Sequence, residues 1–288
     1  MIPGAFEYHR PKTLKDAVAL LADLGDDARP LAGGHSMIPI MKLRLAAPAH
    51  LIDLAAIGDL RGIKADGGDI VIGAMNSEFD VISSDLLAAK VPILRETALQ
   101  IADPQVRYVG TIGGNAANGD PGNDMPAVMI ALDATYHLTG KAGERKVKAR
   151  DFYQGIYLTA LKPGEILTAI RVPVPPAGHG HAYKKLKRKV GDYATAAAAV
   201  ILTMKGGEVE TCAIGLTNVA DRALLAADAA KMLVGSSLDD ATVKKAVAAA
   251  EAITSPATDP HGPAEYRTKM AGVMLTRALA AAKQRAAG

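Results

Sequence analysis

The feature that most restricts the fold of this chain is a segment rich in glycine and asparagine at residues 110–124. Its sequence, GTIGGNAANGDPGND, has five glycines and three asparagines in fifteen positions. Glycine adopts backbone conformations that other residues avoid and lets other groups approach the main chain closely, whereas one tight turn needs only one or two such residues. The composition therefore predicts a loop against which a large group lies.

A second glycine pair lies at residues 32–36, AGGHS, between a predicted strand at 28–32 and a predicted helical turn at 37–42. Paired glycines allow successive backbone N–H groups to point at one anion, and the Ser36 hydroxyl can add a hydrogen bond. Such a loop suits a phosphate. Two such segments suit the two phosphates of a dinucleotide, with two unrelated surface turns as the alternative.

The 288 residues include a single cysteine, Cys212. A disulfide needs two cysteines, and an iron–sulfur cluster or a structural zinc site usually needs three or four, so redox chemistry here requires an organic cofactor. The lone cysteine and the lack of a recognisable signal peptide or membrane span predict a cytoplasmic protein. A net charge of +3 and the absence of tryptophan predict no nucleic-acid partner.

Two common phosphate-binding motifs are missing from the sequence. No G-x-G-x-x-G opens a predicted helix, which excludes the nicotinamide-type Rossmann fingerprint, and no G-x-x-x-x-G-K-[ST] is present, which excludes a P-loop. Among redox dinucleotides, FAD held by a different fold is the natural candidate.

The first part of the chain is predicted to be an α+β domain with two subdomains. Residues 1–55 combine short strands with one amphipathic helix that begins at Leu14 and stops at Gly25. Residues 56–177 combine short strands with one helical stretch at 84–102.

The densest group of helix- and strand-breaking residues, at 173–178, marks the predicted boundary between two domains. It gives a first domain at 1–177 and a smaller α+β domain at 178–288. In this second domain an antiparallel sheet with a hairpin turn at 205–208 is followed by two helices, the last of which starts at Pro263.

The glycine segments resemble those of a known family. The pair AGGHS at 32–36 and TIGGN at 111–115 is similar to the two pyrophosphate-binding loops of the FAD-binding subunits of molybdenum hydroxylases, the xanthine dehydrogenase family, whose fold is vanillyl-alcohol-oxidase-like (PCMH-type). Almost the whole chain is similar to the medium, flavoprotein subunits of aerobic carbon monoxide dehydrogenases. The segments that carry this longer similarity are MIPG at 1–4, NGDPGNDMP at 118–126, KLKRK at 185–189, GDYATA at 191–196 and GPAEYRTKM at 262–270.

The resemblance implies FAD-binding residues and no catalytic acid or base in this chain. The two glycine segments enclose the diphosphate, an aspartate contacts FAD beyond it, two apolar residues line the site, and a tyrosine with a lysine upstream reaches the isoalloxazine ring from the C-terminal domain. The implied residues are Ala32, Gly33, Gly34, His35, Ser36, Ile101, Thr111, Gly113, Gly114, Asn115, Asp124, Leu167, Lys184 or Lys185, and Tyr193.

The resemblance also implies an electron-transfer subunit of a larger complex. Carbon monoxide is oxidised with water at a molybdenum–pterin centre in a large molybdoprotein subunit. Electrons then pass through two [2Fe–2S] clusters in a small iron–sulfur subunit to non-covalently bound FAD in this chain, and on to a quinone or another acceptor. The implied assembly is a dimer of heterotrimers, in the cytoplasm or at the inner face of the membrane. Because the large subunit selects the substrate, this sequence does not fix it.

Two other functions remain open at this point. A stand-alone flavin oxidase of the same fold would attach FAD covalently through His35, because relatives with a similar Gly-Gly-His-Ser loop do so. A non-catalytic scaffold that has lost its cofactor would bind no flavin, but the intact glycine segments argue against it.

Two further clusters have competing interpretations. Five of the six residues at 184–189 are cationic, and as a strand Lys185, Lys187 and Lys189 would share one face. That face would be either a docking surface for an acidic partner or, more commonly, an edge strand protected by lysines. His179 and His181 would face the same way, but no third ligand is evident in the sequence, so we assign no metal site.

Overall fold

The computed structural model describes residues 2–286, which form three main β-sheets with helices packed between and around them. The first sheet is parallel and is formed by β1 (Glu7–His9), β2 (Ala28–Leu31) and β3 (His50–Asp53), with β3 in the centre. Two helices belong to this region, α1 (Leu14–Leu24) and α2 (Met37–Lys42). The first glycine segment lies between β2 and α2, as predicted.

Helix α1 begins and ends as its sequence predicts. The Thr13 side chain caps the helix by accepting a hydrogen bond from the N–H of Asp16, and Gly25 ends it with φ +58°. Ala17, Val18 and Leu21 are buried against the first sheet, which gives this sheet its own small hydrophobic core.

The second sheet is antiparallel and has five strands. Its strands are β4 (Ile63–Asp66), β5 (Asp69–Gly73), β6 (Thr135–Gly140), β7 (Gly143–Lys148) and β10 (Ile166–Pro173), in the order β4-β5-β10-β6-β7. Between β7 and β10 lie α9 (Ala149–Phe152) and a small hairpin of β8 (Tyr153–Gly155) and β9 (Leu158–Thr159). Register places Ile170 between Ile72 and Tyr136, and all three are fully buried in the main hydrophobic core.

Six short helices connect β5 to β6. They are α3 (Glu78–Ser83), α4 (Asp85–Lys90), α5 (Pro92–Ala98), α6 (Pro104–Val109), α7 (Ile112–Ala117) and α8 (Asp124–Ala131). The prediction of one helical stretch at 84–102 is wrong, because Val91, ahead of Pro92, leaves the helical conformation (φ −139°, ψ 60°) and a new helix starts at the proline. The prediction of a loop throughout 110–124 is also wrong, since α7 and the start of α8 lie within it.

The third sheet is antiparallel, and three helices follow it rather than the two predicted. The strands, in spatial order, are β11 (Gly180–Leu186), β12 (Ala196–Lys205), β13 (Glu208–Thr217) and β14 (Leu224–Leu225), and the helices are α10 (Ala227–Leu233), α11 (Asp240–Ala252) and α12 (Ala264–Arg285). The predicted hairpin turn is confirmed: Gly206 and Gly207 have positive φ between β12 and β13.

The third sheet is buried on both faces. Alternate residues of β12 point to opposite sides: Ala196, Ala198 and Val200 join a core that contains α12, whereas Ala197 and Ala199 join the core that contains α8. A Cβ on Gly215 would lie 2.1 Å from the carbonyl oxygen of Ala127, so the sheet approaches α8 very closely. This packing brings side chains of β11 to the end of the second glycine segment.

None of the helices in residues 2–286 combines the length and the apolar character needed to cross a membrane.

Candidate functional site

The two glycine segments lie against each other. A Cβ atom on Gly33 would lie 2.3 Å from the carbonyl oxygen of Val109 and 2.8 Å from the Cα of Gly110, so a larger residue does not fit without movement of the backbone. A Cβ atom on Gly114 would lie 3.6 Å from the Cβ of Ala32. The segments therefore form one site, and the alternative of two unrelated surface turns is wrong.

The backbone N–H groups of the two segments differ in their availability. Within residues 2–286, no N–H group of residues 33–36 donates a hydrogen bond to another protein group, and Gly34 has φ +75°, a conformation that favours glycine. In the second segment, the N–H of Gly113 donates to the carbonyl oxygen of Ala74 (2.9 Å) and that of Gly114 to Oγ1 of Thr111 (3.0 Å). The first segment thus has free N–H donors. The prediction that the paired glycines of the second segment also present free N–H donors is wrong.

The second segment is held by residues 73–77, which follow β5 and which sequence analysis did not single out. Gly113 packs so closely on Ala74 that a Cβ would lie 2.5 Å from the alanine Cβ. The N–H of Ile112 donates to the carbonyl oxygen of Asn76 (3.0 Å), and the Asn76 amide donates in turn to backbone carbonyls of Gly62 and Gly73. Gly113 therefore serves close packing, and no sequence motif marks its partners.

A cavity of about 360 Å³ opens beside the contact between the segments. Ala32 and Thr111 lie in its wall together with Phe79 and Tyr108, whose rings stack with centroids 4.3 Å apart and are partly exposed. Arg61 also lines it and donates to the carbonyl oxygen of Met75 (3.0 Å). The cavity offers an aromatic surface and a cation, and its wall includes Ala32, the residue that precedes the free N–H donors. These three side chains have no distinctive sequence context, so sequence analysis missed them.

Asp124 forms a buried ion pair with Lys185. The Lys185 Nζ lies 2.7 Å from Oδ2 of Asp124, and their side chains are 1% and 6% exposed. The hydroxyl of Tyr183, also on β11, donates to the other carboxylate oxygen. Burial raises the pKa of the Asp124 carboxyl, and the Lys185 ammonium opposes that rise. The sequence left Lys184 and Lys185 as alternatives; the structure joins Lys185 to Asp124, and Lys184 alternates to the other side of β11.

Gln100 ties the same strand to the helices. Its side-chain amide donates to the backbone carbonyl oxygen of Tyr183 (3.1 Å). The backbone carbonyl oxygen of Gln100 accepts a hydrogen bond from Lys185 Nζ (3.4 Å). Ile101 follows it and is 8% exposed, at the edge of the main core. Leu167 belongs to the same core, one residue before Thr168, whose carbonyl oxygen accepts the N–H of Ala74. Both predicted apolar residues thus lie next to segments that hold the site.

Glu78 and Asn115, near Asp124, have buried polar atoms without a partner. Both carboxyl oxygens of Glu78 and Oδ1 of Asn115 have no hydrogen-bond partner among residues 2–286; Glu78 is 2% exposed, whereas Asn115 is half-buried. Burial, reinforced by the charge of Asp124 and opposed by the nearby Asn115 side chain, raises the pKa of Glu78 to about 8, so the acid is largely protonated at neutral pH. Leaving such groups unsatisfied costs about 1–3 kcal/mol each, so they fit a ligand with polar groups. Sequence analysis missed Glu78, because a glutamate at the start of a helix is ordinarily a solvated residue.

Tyr193, which the resemblance assigns to the isoalloxazine ring, lies against the second segment at Gly122. A Cβ on Gly122 would lie 2.8 Å from its ring, and the nearby Asp120 accepts a hydrogen bond from the hydroxyl of Tyr157 (3.1 Å). Burial and the negative charge of Asp120 raise the pKa of Tyr193. The ring is 46% exposed and so presents a free aromatic surface.

The remaining predicted residues are distributed as follows. His35 is exposed, and Ser36 stands at the start of α2 without capping it. Strand β11 ends at Leu186 and does not reach Lys189, and Arg188 pairs with Asp192 and donates to the carbonyl oxygen of Pro260 (2.8 Å). The three lysines therefore do not form one exposed face.

Comparison with known proteins identifies the family. The pattern described as "FAD binding domain in molybdopterin dehydrogenase" matches residues 4–175, and that of the "CO dehydrogenase flavoprotein C-terminal domain" matches residues 181–282. The chain belongs to the flavoprotein family of molybdopterin dehydrogenases. It is therefore an FAD-binding oxidoreductase subunit, which confirms the predicted cofactor and the α+β fold class with a C-terminal domain.

Members of this flavoprotein family match over the full length. The carbon monoxide dehydrogenase medium chains of Afipia carboxidovorans and Hydrogenophaga pseudoflava are 69% and 51% identical, with at least 99% of each chain covered. A crystal structure of the Cu,Mo-CO dehydrogenase in its cyanide-inactivated form has a chain that superimposes with a TM-score of 0.99 over 99% of this chain and 100% of that one, at 69% identity. Quinoline 2-oxidoreductase from Pseudomonas putida 86 matches with a TM-score of 0.93 over 99% of both chains, at 36% identity.

The residues of the site fit FAD. The free N–H groups of the first segment suit a diphosphate, and the cavity combines apolar and aromatic groups with polar ones such as Arg61. The unpartnered polar atoms of Glu78 and Asn115 need hydrogen-bonding groups of the kind that a ribityl chain or a ring carries.

Proposed function

We propose that this chain is the FAD-carrying electron-transfer subunit of an aerobic molybdenum-containing carbon monoxide dehydrogenase. The overall reaction is oxidation of carbon monoxide with water to carbon dioxide, two protons and two electrons. The observation that carries the proposal is the full-length identity of 69% and 51% to carbon monoxide dehydrogenase medium chains. With one cysteine, the chain cannot hold two [2Fe–2S] clusters itself, so the metal centres lie in partner subunits.

The first glycine segment is proposed to bind the diphosphate of FAD. Gly33, Gly34, His35 and Ser36 supply N–H groups that no acceptor among residues 2–286 uses, and a diphosphate in water-poor surroundings requires such donors. Ala32 belongs to the same wall. Bound FAD supplies the two-electron redox chemistry, and the residues of this chain bind and orient it.

The second glycine segment is proposed to serve mainly as a support. Its own hydrogen bonds keep Thr111, Gly113 and Gly114 against the first segment, and Asn115 directs an unpartnered carbonyl oxygen inward. Ile101 and Leu167 form the apolar boundary. A supporting role for the second segment explains its close packing, and a diphosphate-binding role for the first segment explains its free N–H donors.

Three features are proposed to tune the flavin environment. Lys185 compensates the negative charge of Asp124, so the pair orients both side chains without net charge. Glu78 holds a proton in the same region at neutral pH and can donate it in a hydrogen bond to a polar atom of the cofactor. Tyr193 offers a flat aromatic surface from the C-terminal domain, which suits contact with a ring system.

The complex is proposed to follow the arrangement that the resemblance implies. Relatives are named as subunits or chains of multi-subunit dehydrogenases, and this supports a large molybdoprotein subunit and a small iron–sulfur subunit as partners. A dimer of heterotrimers, a quinone-linked acceptor, and a location in the cytoplasm or at the inner face of the membrane belong to the proposal. The domain boundary at 177/178, between β10 and β11, belongs to it as well.

The proposal is tested by the cofactor content of the complex purified through a tag on this chain. We expect about one FAD, about four iron atoms and about one molybdenum atom per tagged chain, since two [2Fe–2S] clusters carry four irons. FAD without co-purifying iron or molybdenum would contradict the subunit role and favour a stand-alone flavin oxidase.

A further inference from the structure

Three side chains converge on the first sheet, in a cluster separate from the residues described for the flavin site. In the parallel register of β1 and β3, Glu7 lies opposite His50, and His9 lies two residues beyond Glu7. Alternate residues of a strand point to the same face, and paired residues of neighbouring strands lie side by side. The fold thus brings together two imidazoles and one carboxylate, with the histidines 41 residues apart in the sequence.

The separations between their ligand atoms match a tetrahedral metal site. His9 Nε2 lies 3.1 Å from His50 Nδ1, His50 Nδ1 lies 3.3 Å from Glu7 Oε2, and His9 Nε2 lies 3.9 Å from the same Glu7 oxygen. Around a tetrahedral ion with bonds of about 2.0–2.2 Å, neighbouring ligand atoms lie about 3.4 Å apart. The three observed separations lie on both sides of that value, so small side-chain shifts complete the geometry.

The surroundings leave these ligands available. Within residues 2–286, the carboxylate of Glu7 lies within 4 Å of ring nitrogens of His9 and His50 and forms no ion pair with a lysine or an arginine. The nearest cation in sequence, Arg10, pairs instead with Asp53. The two histidine side chains are 26% and 20% exposed, so they are held in place by the sheet while one side of the cluster faces solvent.

We propose that Glu7, His9 and His50 form a binding site for one late first-row divalent cation, best matched by Zn²⁺. Two imidazoles with one carboxylate are the borderline donors that such ions prefer, and the solvent-facing side leaves the fourth position to water. The ion joins β1, a three-residue strand at the edge of its sheet, to the central strand β3. Its role is to fix the N-terminal strand, and it takes no part in electron transfer.

The test uses the full-length, tag-free chain with its FAD, after dialysis against a chelator and then into buffer without it. Titration with Zn²⁺ followed by calorimetry should give one ion per chain with a Kd of about 1 μM or tighter, and Co²⁺ in its place should give the visible absorption of a tetrahedral site. Saturation with Zn²⁺ should raise the Tm, because an ion that binds only the folded chain stabilises it.

Single variants assign the ligands. His9→Gln and His50→Gln should each weaken the affinity for Zn²⁺ by about tenfold or more. Glu7→Gln should weaken it by a smaller factor, and because Glu7 is exposed this substitution should not disturb folding. The matched control is His181→Gln, which removes a histidine from the His179–His181 pair, where the ring centroids lie 5.6 Å apart. No binding below about 100 μM, or binding that the three ligand variants leave unchanged, would overturn the proposal and identify any uptake as adventitious.

Discussion

The ammonium group of Lys185 lies 2.7 Å from a carboxylate oxygen of Asp124, and both side chains are almost completely buried. Lys185 belongs to β11 of the third sheet, whereas Asp124 is the first residue of α8, which follows the second glycine segment. One buried ion pair therefore fixes the C-terminal sheet to the end of the proposed cofactor site.

Removal of the lysine should destabilise the protein. Lys185→Met leaves a buried carboxyl without its partner and should lower the free energy of unfolding by about 3 kcal/mol. Its neighbour Lys184 alternates to the other side of β11, so Lys184→Met should cost about 0.5 kcal/mol or less. Urea unfolding of both variants measures the difference, and equal losses would show that the ion pair has no special role.

A double variant separates the ion pair from simple loss of packing. Asp124→Asn combined with Lys185→Met removes both charges, so it should recover part of the stability lost in Lys185→Met alone. Strictly additive losses across the cycle of single and double variants would contradict a direct interaction between the two side chains.

Addition of one methyl group at Gly33 should disrupt FAD binding. Gly33→Ala places a Cβ 2.3 Å from the carbonyl oxygen of Val109 and so pushes the two glycine segments apart. We expect at least about a tenfold weaker affinity for FAD, or about 1.4 kcal/mol. Gly58→Ala is the control, because a Cβ there meets no atom within 4 Å. Flavin fluorescence titration of the two variants compares them, and unchanged affinity in Gly33→Ala would contradict the proposed diphosphate site.

Glu78 should make the stability of the FAD-free protein depend on pH. Burial raises its pKa from 4.5 to about 8 in the folded chain, so the folded state retains a proton that the unfolded state has released. Stability should therefore fall as pH rises from about 4.5 to about 8, and level off above that range.

The matched variant is Glu78→Gln, which keeps the shape of the protonated acid and cannot ionise. It should be close to the parent in stability near pH 5 and more stable by roughly 4 kcal/mol near pH 8.5. Urea unfolding across this range measures both proteins. A constant difference between them at all pH values would mean that Glu78 ionises as readily in the folded chain as in the unfolded one.

His35 distinguishes covalent from non-covalent FAD. The chain is expected to release its flavin when it is precipitated with acid, and His35→Ala should keep the same FAD content after purification, apart from a modest loss of affinity. A yellow pellet from the parent protein, with colour lost in His35→Ala, would instead support the stand-alone oxidase.

Some parts of this structure follow from local sequence alone. The N-cap and the C-terminal glycine of α1, the Gly-Gly turn between β12 and β13 and the strand–glycine–helix order at residues 28–42 each depend on neighbours in the chain. The two glycine segments of the predicted FAD set also lie against each other in the structure, whereas the roles of the individual residues toward FAD stay a prediction.

Other parts depend on contacts that no local pattern reveals. Thr111 caps a helix in a segment whose glycines predicted a loop, because Ala74 and Asn76 supply acceptors for its first turn. The residues around Lys185 in the sequence are basic, which is typical of a solvated strand. Lys185 is nevertheless buried, because it forms an ion pair with Asp124, 61 residues away. Glu78 looks like an ordinary solvated residue at a helix start, and only the packing of the site buries it.

The electron-transfer role is tested by adding carbon monoxide to the purified, oxygen-free complex and following its visible absorption over time. We expect the iron–sulfur absorption and the oxidised-flavin absorption both to be bleached, whereas the isolated chain with FAD shows no change. Bleaching of the clusters while the flavin stays oxidised would contradict the electron-transfer role of this chain. A complex that is reduced by dithionite but not by carbon monoxide would contradict the proposed substrate and leave the flavin role intact.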